Sequence, residues 1–235
     1  ATVFVSGAFG SITAGAIEAG NGIIGRASAG APTIGQDSGV TLDAAANVDI
    51  LTYTTPALMA GLTATVMVLD SVGAPTADGL QAAAATQDAT VFALNYANGP
   101  LSLGVDTTSL GQNASASTGT DSRVRMSVSY DLGVAKVMAV STSAKAGSAA
   151  DAGKVTTTNF GVSAPMGAVT LNATVSNGKY IDSGAASVKT NGYQVGANYS
   201  LSKRTTAYVL MGEGKNKATT ATKHETFAMG VRHTF

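Results

Sequence analysis

The last nine residues of the sequence, Phe227-Ala228-Met229-Gly230-Val231-Arg232-His233-Thr234-Phe235, decide the fold. Phe227, Met229, Val231, His233 and Phe235 fall on one face of an extended chain. Ala228, Gly230, Arg232 and Thr234 fall on the other. Side chains alternate across a strand, so this pattern reads as β-structure with two unlike faces. The same period of two recurs upstream. Val195, Ala197, Tyr199 and Leu201 alternate with Gln194, Gly196, Asn198 and Ser200. Val169, Leu171, Ala173 and Val175 alternate with Thr170, Asn172, Thr174 and Ser176. Val124, Met126, Val128 and Tyr130 alternate with Arg123, Arg125, Ser127 and Ser129.

Thirteen such segments are expected, at 2–9, 11–18, 47–55, 62–70, 89–97, 101–110, 122–131, 134–144, 154–164, 168–177, 190–201, 205–215 and 224–235. Their connections alternate in length. Short ones hold Phe9-Gly10, Pro56 to Gly61, Asn98-Gly99-Pro100, Asp131-Leu132-Gly133, Pro165-Met166-Gly167 and Ser202 to Arg204. Long ones, rich in small polar residues, run over 19–46, 71–88, 111–121, 145–153, 178–189 and 216–223. In an antiparallel meander every second connection lies at the same end. One end therefore carries tight turns and the other carries loops, as in outer-membrane barrels. Strands of about 9–11 residues suit a tilted bilayer crossing. Backbone groups in lipid must be paired within the protein, so such a sheet is expected to close.

Composition points the same way. The chain has 235 residues, enough for one domain, and only 12% of them are charged, about half the usual share. The net charge is zero, with 14 basic and 14 acidic residues, which argues against a nucleic-acid partner. Glycine, at 28 residues, is abundant, and mean hydropathy is +0.20. A soluble sandwich covers its outside with charge; here the polar face is Ser, Thr, Asn and Gly. The twenty residues from Ile50 to Leu69 carry no charge, which raises the question of a spanning helix. Five threonines and the Pro56 and Gly61 breaks read instead as strand, turn, strand.

Several chemistries are excluded. The chain has no cysteine and two histidines, His224 and His233, so thiolate sites and histidine cages are ruled out. No Ser-containing motif accompanies His224. No phosphate loop, zinc helix or dinucleotide fingerprint occurs. No enzyme activity, cofactor or metal site is expected.

Particular motifs carry a family resemblance. Met229 to Phe235 resembles the terminal strand of Gram-negative general porins. Gly192-Tyr193-Gln194-Val195-Gly196-Ala197-Asn198-Tyr199-Ser200-Leu201-Ser202-Lys203-Arg204-Thr205 is similar to the hairpin before it. Tyr53-Thr54-Thr55-Pro56, followed by Gly61, and Val5-Ser6-Gly7-Ala8-Phe9-Gly10-Ser11 resemble two of the family's turns. The betaproteobacterial type fits best.

The resemblance implies an all-β transmembrane antiparallel barrel of sixteen strands, assembled as a homotrimer in the outer membrane. Thirteen strands are read here, so the family's first three are expected to be missing from this sequence. It implies that Phe235 is the assembly signal and that 19–46 folds inward as the constriction loop. Glu18, Asp37 and Asp43 would then be the acidic side of the constriction and Arg26 a basic exception. The family's Pro-Glu-Phe-Gly-type signature is absent from that loop.

Polar-face cations complete the expected pore lining. Arg123 and Arg125 are two apart on one strand, Lys136 lies on the next, and Arg232 lies on the last. Arginine facing lipid at the midplane costs ~2–4 kcal/mol, which favours the lumen. There an arginine attracts anions, or else forms a salt bridge that holds the wall. Tyr53, Tyr96, Tyr130 and Tyr199 lie near the short turns and suit an aromatic girdle. His233 belongs with Phe235 at the membrane interface, and Lys203 and Arg204 are solvated turn residues. The expected partners are a second and third copy of the chain, outer-membrane lipid and lipopolysaccharide, and small hydrophilic solutes. The expected function is passive diffusion of solutes and ions through a water-filled channel. The competing reading is a plugged structural or adhesive barrel.

Overall fold

The computed structural model describes residues 2–19, 46–75, 81–110, 120–146, 153–181, 187–217 and 222–234. They form a single antiparallel meander of thirteen strands, each hydrogen-bonded to its neighbours in sequence. The first half comprises β1 (Thr2–Gly7), β2 (Gly10–Ala19), β3 (Ala46–Thr54), β4 (Leu62–Pro75), β5 (Gln81–Asn98) and β6 (Leu101–Leu110). The second half comprises β7 (Thr120–Asp131), β8 (Lys136–Ala146), β9 (Gly153–Met166), β10 (Val169–Ile181), β11 (Val188–Ser200), β12 (Thr205–Asn216) and β13 (Thr222–His233). Among the described residues no ladder joins β1 to β13. They contain no helix long and apolar enough to cross a membrane.

The strand pattern holds because turn chemistry and alternation agree. At the short-turn end, Gly10 (φ 102°) and Gly61 (φ 81°) occupy the left-handed region, where a Cβ is strained. Both also face a neighbouring backbone: an added Cβ would lie 2.2 Å from the Thr54 carbonyl oxygen at Gly10, and 2.2 Å from that of Ala97 at Gly61. The β7–β8 turn is held instead by Asp131, whose Oδ1 accepts the Gly133 amide at 2.8 Å. This is the side-chain turn that Asp favours.

β4 and β5 exceed their expected lengths most. β4 runs to Pro75 and β5 begins at Gln81, so most of the stretch expected as a loop over 71–88 is hairpin. The ladder continues through register shifts between Leu69 and Val72 and between Gly73 and Pro75. Antiparallel pairing satisfies the backbone whatever the side chains are. An alanine-rich stretch therefore pairs without an alternating signal.

The two faces differ as the sequence requires. Val124, Met126, Val128, Leu171, Val175, Val209, Met211, Phe227 and Met229 are all exposed on one face. Asp106, Arg125, Thr142, Asn159, Asn172, Ser176 and Gln194 are buried on the other. A water-soluble sheet has the reverse arrangement. This sheet shows apolar side chains outward and keeps polar ones inside.

Candidate functional site

The inner face is the candidate site, and the ladder registers assemble it row by row. One row runs Ala93, Asp106, Arg125, Thr142, Thr157 across β5 to β9, each residue directly opposite the next. The adjacent row, towards the long connections, runs Thr52, Met67, Val91, Thr108, Arg123. Towards the short turns lie Gly104, Ser127, Val140, Asn159 and Ser176.

Asp106 and Arg125 form the centre of this wall. Arg125 Nε donates to Asp106 Oδ1 at 3.1 Å and Oδ2 at 3.2 Å. Asp106 is 1% exposed and Arg125 3%. The pairing follows from register, because the two stand opposite each other on adjacent strands. A buried charge needs such a partner. Arg125 thus points inward, as expected of a lumenal arginine, but its charge is matched by Asp106. Asp106 was not among the expected site residues. The sequence puts Asp106 on the polar face of 101–110, but only the register brings it opposite Arg125.

The second feature is an apolar sector. Ile50, Met67, Leu69, Ala89, Val91 and Ala93 lie on the inner face of β3, β4 and β5. All are 2–8% exposed, and they are six of the eight buried apolar residues among those described. Asp106, Arg125, Ser176 and Gln194 on the polar part of the inner face are as little exposed, at 1–3%, so what sets this sector apart is its apolar character. Its signal in the sequence was the run Val66-Met67-Val68-Leu69, apolar at consecutive positions. Such runs mark strands covered on both faces.

The other expected residues fall as follows. Arg123 is half-buried on the inner face, opposite Thr108. Lys136 is exposed at the short-turn end of the inner face, opposite Asp131 and Ser163. Arg232 is exposed at the same end of β13, opposite Thr206. Glu18 lies near the end of β2, paired with Asn47, so it belongs to a strand. Arg26, Asp37, Asp43 and Phe235 lie outside the described residues, as does nearly all of 19–46.

The four expected girdle tyrosines stand on the outward face near the short turns. Tyr53, Tyr130 and Tyr199 are 40–49% exposed. Tyr53 Oη donates to the Phe9 carbonyl at 2.8 Å, tying one short turn to the next hairpin. Tyr96 Oη accepts from Asn98 Nδ2 at 3.1 Å. Tyr193 is an outward tyrosine in the middle of β11 that the sequence reading did not place in the girdle. His233 Nδ1 is 2.9 Å from Thr205 Oγ1, its cross-strand partner. Among the described residues no group of His, Asp or Glu could hold a metal ion.

Comparison with known proteins places this geometry. Over residues 1–219 the chain matches the family model described as Gram-negative porin. Its fold is similar to that of OmpT, an outer membrane protein of Vibrio cholerae, with TM-score 0.72 and 14% identity over 99% of this chain and 78% of that one. It is also similar to an anion-selective porin from Comamonas acidovorans, with TM-score 0.64 and 23% identity over 100% of this chain and 77% of that one. A third similar structure is a porin refined at 1.8 Å, with TM-score 0.64 and 18% identity over 100% and 80% of the two chains. No curated protein matched the chain by sequence. A meander with an apolar outside and a polar inside, matched over nearly all its length, belongs to the Gram-negative porin family and resides in the outer membrane as a β-barrel protein.

Proposed function

We propose that this porin is a general diffusion channel: small hydrophilic solutes and ions cross it down their gradients, and no bond is made or broken. The observation that carries this reading is the inner wall of β6 to β11. It is built mostly of Thr, Ser, Asn and Gln around the Asp106–Arg125 pair, while Leu103, Val105, Val124, Met126, Phe160, Leu171 and Val175 face outward and are exposed. A pore selects by its width and by the charges along it. Arg123, Arg125, Lys136 and Arg232 are the cations of that lining.

Residues 19–46 are the constriction loop in this reading. The apolar inner sector of β3 to β5 offers an inward-folded loop an apolar surface, which supports the assignment. Glu18, Asp37 and Asp43 supply the acidic side and Arg26 the basic exception. Tyr53, Tyr96, Tyr130 and Tyr199 form the aromatic belt, and Phe235 is the assembly signal. Three chains associate as a homotrimer, embedded in lipid and lipopolysaccharide.

A plugged barrel is the second reading, and the near-complete burial of Asp106 and Arg125 is the observation in its favour. Conductance in a planar bilayer separates the two. The diffusion channel gives ohmic steps that close in thirds. A plugged barrel inserts and gives no steps, and that result would overturn the proposal.

A further inference from the structure

The inner face of β9 to β12 differs from the charged wall of β6 and β7. Its ladders run without a register shift, so inward residues line up in rows across the four strands. Four successive rows start at Thr157, Asn159, Gly161 and Ser163 of β9 and hold sixteen inward residues. None of the sixteen is charged. Six are glycine: Gly161, Gly178, Gly192, Gly196, Gly212 and Gly214. One, Leu210, is apolar. The remaining nine carry a hydroxyl or an amide.

Glycine inside a strand weakens it and often marks a place where a ligand or another backbone comes close. At Gly212 the close neighbour is the sheet itself, since an added Cβ would lie 2.7 Å from the Tyr193 carbonyl oxygen. Gly161, Gly192 and Gly196 are partly exposed, so the backbone is open to solvent between the polar side chains. The result is a furrow with a glycine floor and amide and hydroxyl walls. Three strand spacings make it about 14 Å across, wide enough for a trisaccharide lying across the strands.

One wall carries an unmet acceptor. Asn159 is 7% exposed, and its Oδ1 accepts no hydrogen bond. It stands on the inner face between Val140 and Ser176. A buried acceptor without a donor is costly, and in native proteins water or a ligand meets it. At the short-turn end of the furrow stands Tyr208, the next inward residue of β12 after Leu210 and itself partly exposed. Its ring covers Gly230, where an added Cβ would lie 2.7–3.0 Å from Oη, Cζ and Cε1. An aromatic face is electron-rich and suits the C–H face of a sugar ring.

We propose that this furrow is a binding subsite for a small neutral saccharide. Asn159 Oδ1 accepts a sugar hydroxyl, and Ser176 and Asn172 exchange hydrogen bonds with others. The glycine floor lets the ring approach the sheet, and Tyr208 stacks at one end. With no charge in the furrow, nothing in it favours an ion over an uncharged solute. The proposal rests on the diffusion-channel reading and names a solute class that the channel holds during passage.

The test adds maltotriose to single channels of the full chain in a planar bilayer. The current should be interrupted in a saturable way. A polyethylene glycol of equal size should only lower it in proportion to concentration. Asn159→Leu keeps the shape and removes the acceptor, so half-block should need roughly fivefold more maltotriose, the worth of one hydrogen bond. Gly192→Leu fills the floor and should abolish the saturable block. Both variants are uncharged and should conduct salt as the parent does. Equal block of parent and both variants, or maltotriose acting only as the polymer does, would overturn the proposal. Calorimetry on the same samples keeps the two readings apart. A parent that carries no current fails as a channel. Heat of maltotriose binding that is lost in Gly192→Leu would still support the furrow, and no heat in the parent would overturn it.

Discussion

The inner face has two sectors of opposite character on one continuous sheet. On β3 to β5 it is mostly apolar, with Ile50, Met67, Leu69, Ala89, Val91 and Ala93 beside Thr52 and Thr65; from β6 to β11 it is mostly polar, with Asp106, Thr108, Arg125, Thr142, Asn159, Asn172, Ser176 and Gln194 beside Val140. The backbone is the same in both, and the ladder passes from one to the other at Ala93 opposite Asp106. Both sectors are buried to the same degree, so the difference lies in chemistry: one stretch of wall is mostly apolar and the other is built of hydrogen-bonding groups. An apolar inner sector gains from a covering layer, at about 25 cal/mol per Å² of apolar surface removed from water. A wall of hydroxyl and amide groups offers hydrogen bonds to water and to passing solutes.

The largest test of the contrast is the charged pair. Arg125→Met alone should cost about 3–5 kcal/mol, because it strands a buried Asp106. The double variant Asp106→Leu, Arg125→Met should cost far less, because no charge is then left unmatched. Urea unfolding of the refolded barrel reads both, and equal losses would mean that the pair is not the unit. Next is the apolar sector, where Met67, at 2% exposure, should lose about 2–5 kcal/mol on truncation to alanine. A loss under about 1 kcal/mol would show the sector to be uncovered in the folded protein.

The contrast between faces gives a smaller effect. Ala173→Arg, on the outward face, should cost ~2–4 kcal/mol at mid-depth. Asn172→Arg, one residue away and inward, should be tolerated better and should move ion selectivity towards anions. The smallest effect is at the mouth. Lys136→Glu removes an exposed cation and should change stability by no more than about 0.5 kcal/mol. Its reversal potential in a salt gradient should nonetheless shift towards cation preference.

Much of this was legible in the sequence because strand period and turn chemistry agree. The alternation from Arg123 to Tyr130 identifies β7, its inward arginines and its outward apolar residues without a coordinate. Gly61 and Asp131 mark short turns through conformations that few residues supply. Two features were not legible. The length of β4 and β5 depends on backbone pairing between Pro75 and Gln81, to which alanine and threonine side chains contribute little pattern. The partner of Arg125 depends on register, which brings Asp106 from 19 positions away. The apolar inner sector was visible as the uncharged run from Ile50 to Leu69, but its meaning required knowing that both faces of those strands are covered or in lipid.

The most direct test uses the chain's lack of cysteine. Thr174→Cys and Val175→Cys place single thiols on adjacent residues of β10, one on the inner face and one 50% exposed on the outer face before substitution. A charged, water-soluble thiol reagent is added to single channels in a planar bilayer. The account predicts stepwise loss of conductance for Thr174→Cys and no change for Val175→Cys. A block at Val175→Cys, or no effect at Thr174→Cys in an open channel, would contradict a water path along the polar inner wall.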